Sequence, residues 1–181
     1  MQHFSDTYRL SIERGTEFQK TNKSWDGSGT MQYEQFLKEL KEKYNASTML
    51  DFGAGKGRQY TEYKFHEKVG ADISRYDPCI DGLENWPTGK WDIVFCFDVL
   101  KQVDDRDIPW ILNTMGSWAN KAVFVATQEN NLGKLKKQKL RENLVVNIRD
   151  KDFYKDVLEN WQGPDLWIMD TFSYIISPTS K

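Results

Sequence analysis

The sequence predicts an α/β protein with a doubly wound, mainly parallel seven-stranded sheet and helices on both faces. Three observations carry this expectation. Apolar runs of strand length alternate with stretches of helical periodicity, and such alternation folds into a parallel sheet through right-handed crossovers. The run Met49-Leu-Asp-Phe52 feeds Gly53-Ala-Gly-Lys-Gly57, where alternate glycines let the backbone bend tightly and approach a ligand. Finally, Trp91-Asp-Ile-Val-Phe-Cys-Phe97 is apolar on both faces, as a central parallel strand must be.

Length and composition narrow the class. The 181 residues suit one domain, divided here into an arm or lid over 1–29 and a single domain over 30–177. Aromatic residues make up 14% of the chain, including 7 Trp, which predicts an aromatic-rich core. With 25 basic and 27 acidic residues the net charge is -2, giving no strong nucleic-acid signal and no overall attraction to an anionic membrane. Cys79 and Cys96 are too few for a disulfide framework or a four-ligand metal site, so reduced thiols and no metal are expected. The first ten residues lack the apolar segment of a signal peptide, and no apolar run approaches the ~18 residues of a membrane span. A cytoplasmic location, in the protein's own cell or its host, follows as the expectation.

The elements read in order as follows. Residues 1–23 carry spaced apolar positions, Phe4, Tyr8, Leu10, Ile12 and Phe18, and suggest a loose helix or arm. Gly27-Ser-Gly29 signals a turn before a helix, and Met31, Phe36, Leu37, Leu40 and Tyr44 recur at helical spacing behind Thr30 as N-cap. A first strand over 48–52 precedes a helix over 58–68 with Tyr60, Tyr63 and Phe65 turned inward. The second strand ends near Asp77-Pro78, Asp81-Gly82 makes a turn, and 83–86 falls where a third strand would lie. After the 91–97 strand a helix begins at Asp107-Ile-Pro109, proline being tolerated in a first turn. It continues through Ile111, Leu112, Met115 and Trp118 to a fifth strand over 122–126. Further on, 143–148 is strand-like, 152–161 helical, Gly163-Pro164 a break, and 166–169 and 172–176 the last two strands, with a disordered tail from Pro178.

Spacing selects among ligands for the glycine loop. A phosphate-cradling loop needs Ser or Thr after its Gly-Lys, and here Gly57 follows Lys56. A dinucleotide loop needs a glycine where Arg58 stands. Folds that bind a nucleoside place a carboxylate about twenty residues past the loop to accept the ribose hydroxyls. Asp77 stands at that distance from Gly57, and Asp72 is a nearer rival whose strand would have almost no length. Asp98 follows the 91–97 strand at the sheet edge where open α/β sheets bind ligands, whereas Asp92 lies at the opposite end and is expected to be structural.

The acidic-x-Gly-x-Gly-x-Gly pattern resembles the class I methyltransferases that use S-adenosylmethionine. The likeness is closer to a group of small, often phage-borne enzymes through Leu50 to Gly57, Tyr76-Asp77-Pro78 and Asp98-Val-Leu100, and it covers roughly 24–176. It implies a Rossmann-like fold with one antiparallel strand in the final pair, and S-adenosylmethionine as cofactor. It also implies cofactor contacts at Asp51, Phe52, Gly53, Ala54, Gly55 and Gly57, with Asp51 orienting the loop and the amino-acid end. Asp77 would hold the ribose, Leu83 or Trp86 would wall the adenine, and the main chain at Phe97 and Asp98 would face the methionine. In the resembled group the N-terminal region helps cover the cofactor, which implies a lid role for the stretch ending at Trp25-Asp-Gly-Ser-Gly29. Two departures stand out. Lys101-Gln102 replaces a Glu-His, and Asn143-Leu-Val-Val-Asn147 lacks the histidine found in that stretch. Methyl transfer from a sulfonium mainly requires alignment of donor and acceptor, so Asp98 is the one candidate catalytic residue, needed only where the acceptor must lose a proton.

The acceptor is less defined. No Asn-Pro-Pro-Tyr or Asp-Pro-Pro-Tyr segment follows the fourth strand, and no Pro-Cys stands at a suitable strand, which argues against those routes of DNA-base methylation. A small molecule or an exposed macromolecular end remains as acceptor. Lys134, Lys136, Lys137, Lys139 and Arg141 either grip an anionic substrate or form a solvated face. A non-catalytic module that binds S-adenosylmethionine and acts through a partner is the alternative to an enzyme.

Overall fold

Alternate side chains of a strand point to opposite faces, and here both sets are apolar, so one sheet separates two cores. The computed structural model describes residues 4–21, 26–127, 153, 157, 159–170 and 173–174. On one face Leu50, Phe52, Val94, Cys96, Val123 and Val125 meet α5 (Ile108–Trp118) through Ile108, Ile111, Leu112 and Met115. On the other, Met49, Ile93, Phe95, Phe97 and Phe124 meet α2 (Glu34–Tyr44) through Leu37 and Leu40, together with Phe65 and Val69 of α4 (Phe65–Val69).

The sheet has the order β2-β1-β3-β4-β5-β6. Strands β1 (Thr48–Phe52), β2 (Asp72–Tyr76), β3 (Trp91–Phe97), β4 (Ala119–Thr127) and β5 (Asp165–Asp170) pair in parallel. Among the described residues only β6 (Ser173–Tyr174), at the edge, is antiparallel. The fold is therefore α/β around a five-stranded parallel sheet with helices on both faces. The chain leaving β1 leads to β2 on one side and the chain leaving its parallel neighbour β3 leads to β4 on the other, so a crevice opens beyond their carboxyl ends.

Several elements differ from expectation. Six strands, not seven, are described, because 83–86 forms no strand. Its Leu83 carbonyl accepts the Asp77 N–H at 3.0 Å, which ties the segment back as a turn, and Trp86 is drawn into a ring cluster with Phe4, Tyr76, Trp110 and Trp118. The helix expected over 58–68 is broken into α3 (Arg58–Thr61) and α4, with Lys64 in the left-handed region between them. On one continuous helix Tyr60 and Phe65 would stand roughly 140° apart, and the break lets both become buried. Thr30 is not an N-cap but sits inside a 3-10 turn (Ser28–Tyr33) that precedes α2. The strand-like 143–148, the basic run over 134–141 and the tail from Pro178 lie outside the described residues, as does most of 152–158.

The arm is ordered into α1 (Asp6–Thr21), a sixteen-residue helix. Ser5 caps it, its Oγ accepting the Tyr8 N–H at 3.0 Å. The same hydroxyl donates to Asp107 Oδ1 at 2.5 Å and Thr7 donates to Oδ2 at 2.7 Å, so buried Asp107 pins α1 beside the start of α5. Phe4 and Tyr8 add edge contacts to Trp110. At the other end of the sheet Asp92 accepts the Ser47 N–H at 2.7 Å and pairs with Lys121 at 2.9 Å, the structural role expected of it. Among the described residues no helix is long and apolar enough to cross a membrane.

Asp107→Ala removes both hydroxyl bonds and should destabilise the fold by about 1–3 kcal/mol. Urea denaturation measures this, and limited proteolysis should show earlier cleavage within α1. An unchanged midpoint and cleavage pattern would mean that the ring contacts alone hold the helix.

Candidate functional site

Beyond the carboxyl ends of β1, β2 and β3 lies a half-open cavity of about 250 Å³, near the lower end of ordinary small-molecule sites. Gly53 and Gly55 line it from the turn after β1, Asp77, Pro78 and Cys79 from the turn after β2, and Phe97, Asp98 and Val99 from the end of β3. Lys101 and Gln102 continue that wall, and Asp26, Gly27, Gly29, Thr30 and Gln19 close the cavity from the N-terminal side. Its acidic lining contains three carboxylates and one lysine.

The turn after β1 is shaped by contacts that only glycine allows. Gly53 has φ +91°, and a Cβ there would overlap the Val99 side chain. The loop's amides are directed into the protein: Gly53 N–H and Ala54 N–H both donate to the Tyr76 carbonyl, at 2.7 and 3.1 Å. Gly55 N–H donates to Asp77 Oδ2 at 2.8 Å. The first amide of α3, on Arg58, donates to the Asp26 carbonyl at 2.8 Å. A phosphate needs a nest of free N–H groups, and these four amides are engaged elsewhere.

Behind the loop, Asp51 is buried in β1 and its Oδ2 accepts Tyr60 O–H at 2.7 Å and Gln59 Nε2–H at 3.3 Å. Gln59 Nε2 also donates to the Ala54 carbonyl at 2.9 Å. Gly27 lies so close to Gln59 that a Cβ there would overlap its carboxamide. The 26–30 segment is clamped further by Arg58, which pairs with Asp26 at 3.1 Å and with Glu62 at 2.6 Å. Arg58 thus occupies the position of a third dinucleotide glycine and ties the covering segment to the loop.

Burial pushes the Asp51 carboxyl up to about 7, against the lowering effect of its Tyr60 and Gln59 hydrogen bonds. Asp77 is also raised, by burial, while the N–H groups of Cys79 and Gly55 lower it. Its two oxygens are held by these amides, Cys79 N–H donating to Oδ1 at 2.9 Å, and each keeps a lone pair for another donor. Asp98 has φ +61°, an uncommon conformation for a non-glycine residue, and its N–H donates to the Ala126 carbonyl at 3.0 Å. Burial raises its carboxyl and Lys101, with Nζ 3.8 Å from Oδ1, lowers it.

Among the residues expected to form the site, Gly53, Gly55, Asp77, Phe97 and Asp98 line the cavity. Asp51, Phe52, Ala54 and Gly57 stand behind its wall: Phe52 and Ala54 are core, and Gly57 precedes α3 with φ +77°. Leu83 is not among the lining residues either: it packs against the core that holds Phe97, and its carbonyl accepts the Asp77 N–H. Asp72 opens β2 opposite Thr48, at the far edge of the sheet, and is exposed.

Several lining residues, Gln19, Thr30 and Cys79 among them, are not marked as site residues by the sequence. Gln19, on α1, is only 6% exposed, and among the described residues neither Oε1 nor Nε2 has a hydrogen-bond partner. Such a group costs about 1–3 kcal/mol in the ligand-free fold. The spacing of Phe4, Tyr8 and Ile12 marks the inward stripe that leads to it, but nothing in that stripe announces a polar side chain in a cavity. No family model matches the chain, and no curated protein matches it at a significant level.

The raised Asp51 gives a pH test. The folded protein retains a proton that the unfolded chain releases near the usual 3.8, so this residue's contribution to stability falls as pH rises from about 4 to 7. Asp51→Asn keeps an acceptor for Tyr60 and Gln59 and should gain stability relative to wild type across that window in urea melts at stepped pH. A difference that stays constant with pH would contradict the assignment.

Proposed function

We propose that this protein binds S-adenosylmethionine and is a methyltransferase acting on a small molecule or an exposed macromolecular end. The observation that carries the reading is the cavity itself. It stands at the crevice between β1 and β3, offers Asp77 at its wall, is lined by three carboxylates, and directs its loop amides inward. An acidic lining favours a cationic sulfonium ligand and disfavours phosphates, which supports this nucleoside over ATP or a dinucleotide. The fit is also supported by Gln19, whose buried carboxamide awaits a polar partner in the same cavity.

When bound, the cofactor supplies a methyl group on an already activated leaving group, so the chain's task is alignment and exclusion of water. Asp77 would accept the ribose hydroxyls, and the 26–30 segment would cover the site. Asp98 is the candidate base, held by its backbone at the cavity wall, for an acceptor that must lose a proton. Asp51, Gln59 and Tyr60 act through the loop as positioning residues.

A second reading, a non-catalytic module that binds the cofactor and acts through a partner, is favoured by Lys101 and Gln102. Both line the cavity at the positions where the resembled group has Glu-His, and Lys101 pairs with the one candidate base.

Calorimetric titration with S-adenosylmethionine, S-adenosylhomocysteine, NAD and ATP tests the proposal. Selective binding of the two sulfur nucleosides is expected, weakened about tenfold or more by Asp77→Ala and unaffected by Asp72→Ala. Binding of NAD or ATP alone, or loss of affinity in Asp72→Ala only, would overturn it. Binding without turnover across a broad acceptor screen would favour the second reading.

A further inference from the structure

The face of α1 that looks inward carries Tyr8, Ile12, Thr16 and Gln19, residues three and four apart that stack along one side of a helix. Its middle is placed by the turn after β2: Cys79 Sγ donates to the Ile12 carbonyl at 3.6 Å. Gln19 follows Ile12 by seven residues, two turns along the same face, and lines the cavity together with Asp77 and Cys79. The carboxamide is more than nine-tenths buried, and neither its donor nor its acceptor has a partner among the described residues.

The two unpartnered atoms specify what they can hold: a group that accepts from Nε2 and donates to Oε1. A hydroxyl does both. Asp77, with its oxygens oriented by the amides of Gly55 and Cys79, can only accept when ionised. Gln19 therefore complements Asp77, supplying the donor that the carboxylate lacks.

We infer that Gln19 is a ligand-binding residue contributed by α1, and that with Asp77 it recognises the cis-diol of a nucleoside ribose. This rests on the proposed function for the identity of the nucleoside. On this account α1 is the second half of the site, and an occupied cavity stabilises the docked helix.

The test compares wild type with Gln19→Met, which keeps the side chain's length and removes both polar atoms. S-adenosylhomocysteine and its 2′-deoxy and 3′-deoxy analogues are titrated calorimetrically, and melting temperatures are read without ligand. Gln19→Met should bind S-adenosylhomocysteine about tenfold more weakly. Removing a ribose hydroxyl should weaken wild type clearly more than the variant, because the carboxamide and the hydroxyl act as a pair. Without ligand the variant should melt as high as wild type or higher, since an unpartnered amide has been replaced by an apolar chain. Equal affinity of wild type and variant, or equal losses on hydroxyl removal, would overturn the role of Gln19 and leave the proposed function standing. A wild type that binds no S-adenosylhomocysteine would overturn the proposed function and the ribose assignment together. If the Met variant does not fold, Gln19→Ala, which needs less room, gives the same comparison.

Discussion

A single buried carboxylate ties the first strand to the elements that build the cavity. Asp51 gathers Tyr60 O–H and Gln59 Nε2–H onto one oxygen, and those two side chains fix the short helix behind the glycine turn. Gln59 in turn supports the Ala54 carbonyl and packs against Gly27, so the covering segment takes its position from the same network. Burial of an acid is unfavourable without donors. Here the donors come from the element that has to be positioned, which couples the order of the loop to the stability of the core.

That coupling determines the character of the site. Because Gly53, Ala54 and Gly55 direct their N–H groups to Tyr76 and Asp77, the turn presents little of the positive potential that glycine-rich phosphate loops use. What faces the cavity instead is acidic, with Lys101 set against Asp98. The segment over 26–30 and α1 supply a wall that a bare α/β sheet does not possess, and α1 is held by Asp107, which lies outside the cavity lining. Stability at one end of α1 thus positions a polar side chain at the other.

Much of this was legible in the chain because two signals are local. Glycines at alternate positions after an apolar run require a tight turn, and an unbroken run such as 91–97 requires a central strand, so β1, β3 and the cavity edge could be read directly. Asp77 was legible by distance from the loop. The break at Lys64 was not, since periodicity alone allowed a continuous helix and only the need to bury both Tyr60 and Phe65 disrupts it. The missing strand at 83–86 has a similar origin: Trp86 is claimed by a ring cluster that includes Phe4, eighty-two positions earlier. Gln19 was hidden for the same reason, because its environment is assembled from three distant turns. The side chains behind the loop are less legible: Asp51 turns to Tyr60 and Gln59, while Phe52 and Ala54 join cores on opposite faces of the sheet, partners that lie outside the glycine pattern itself.

The most direct test of the account is a crystal structure of the protein grown with S-adenosylhomocysteine. The account predicts nucleoside density between the Gly53–Gly55 turn, Asp77 and Asp98, with the ribose hydroxyls on Asp77 and Gln19. Density for the nucleoside elsewhere, or a ribose turned away from both residues, would contradict it.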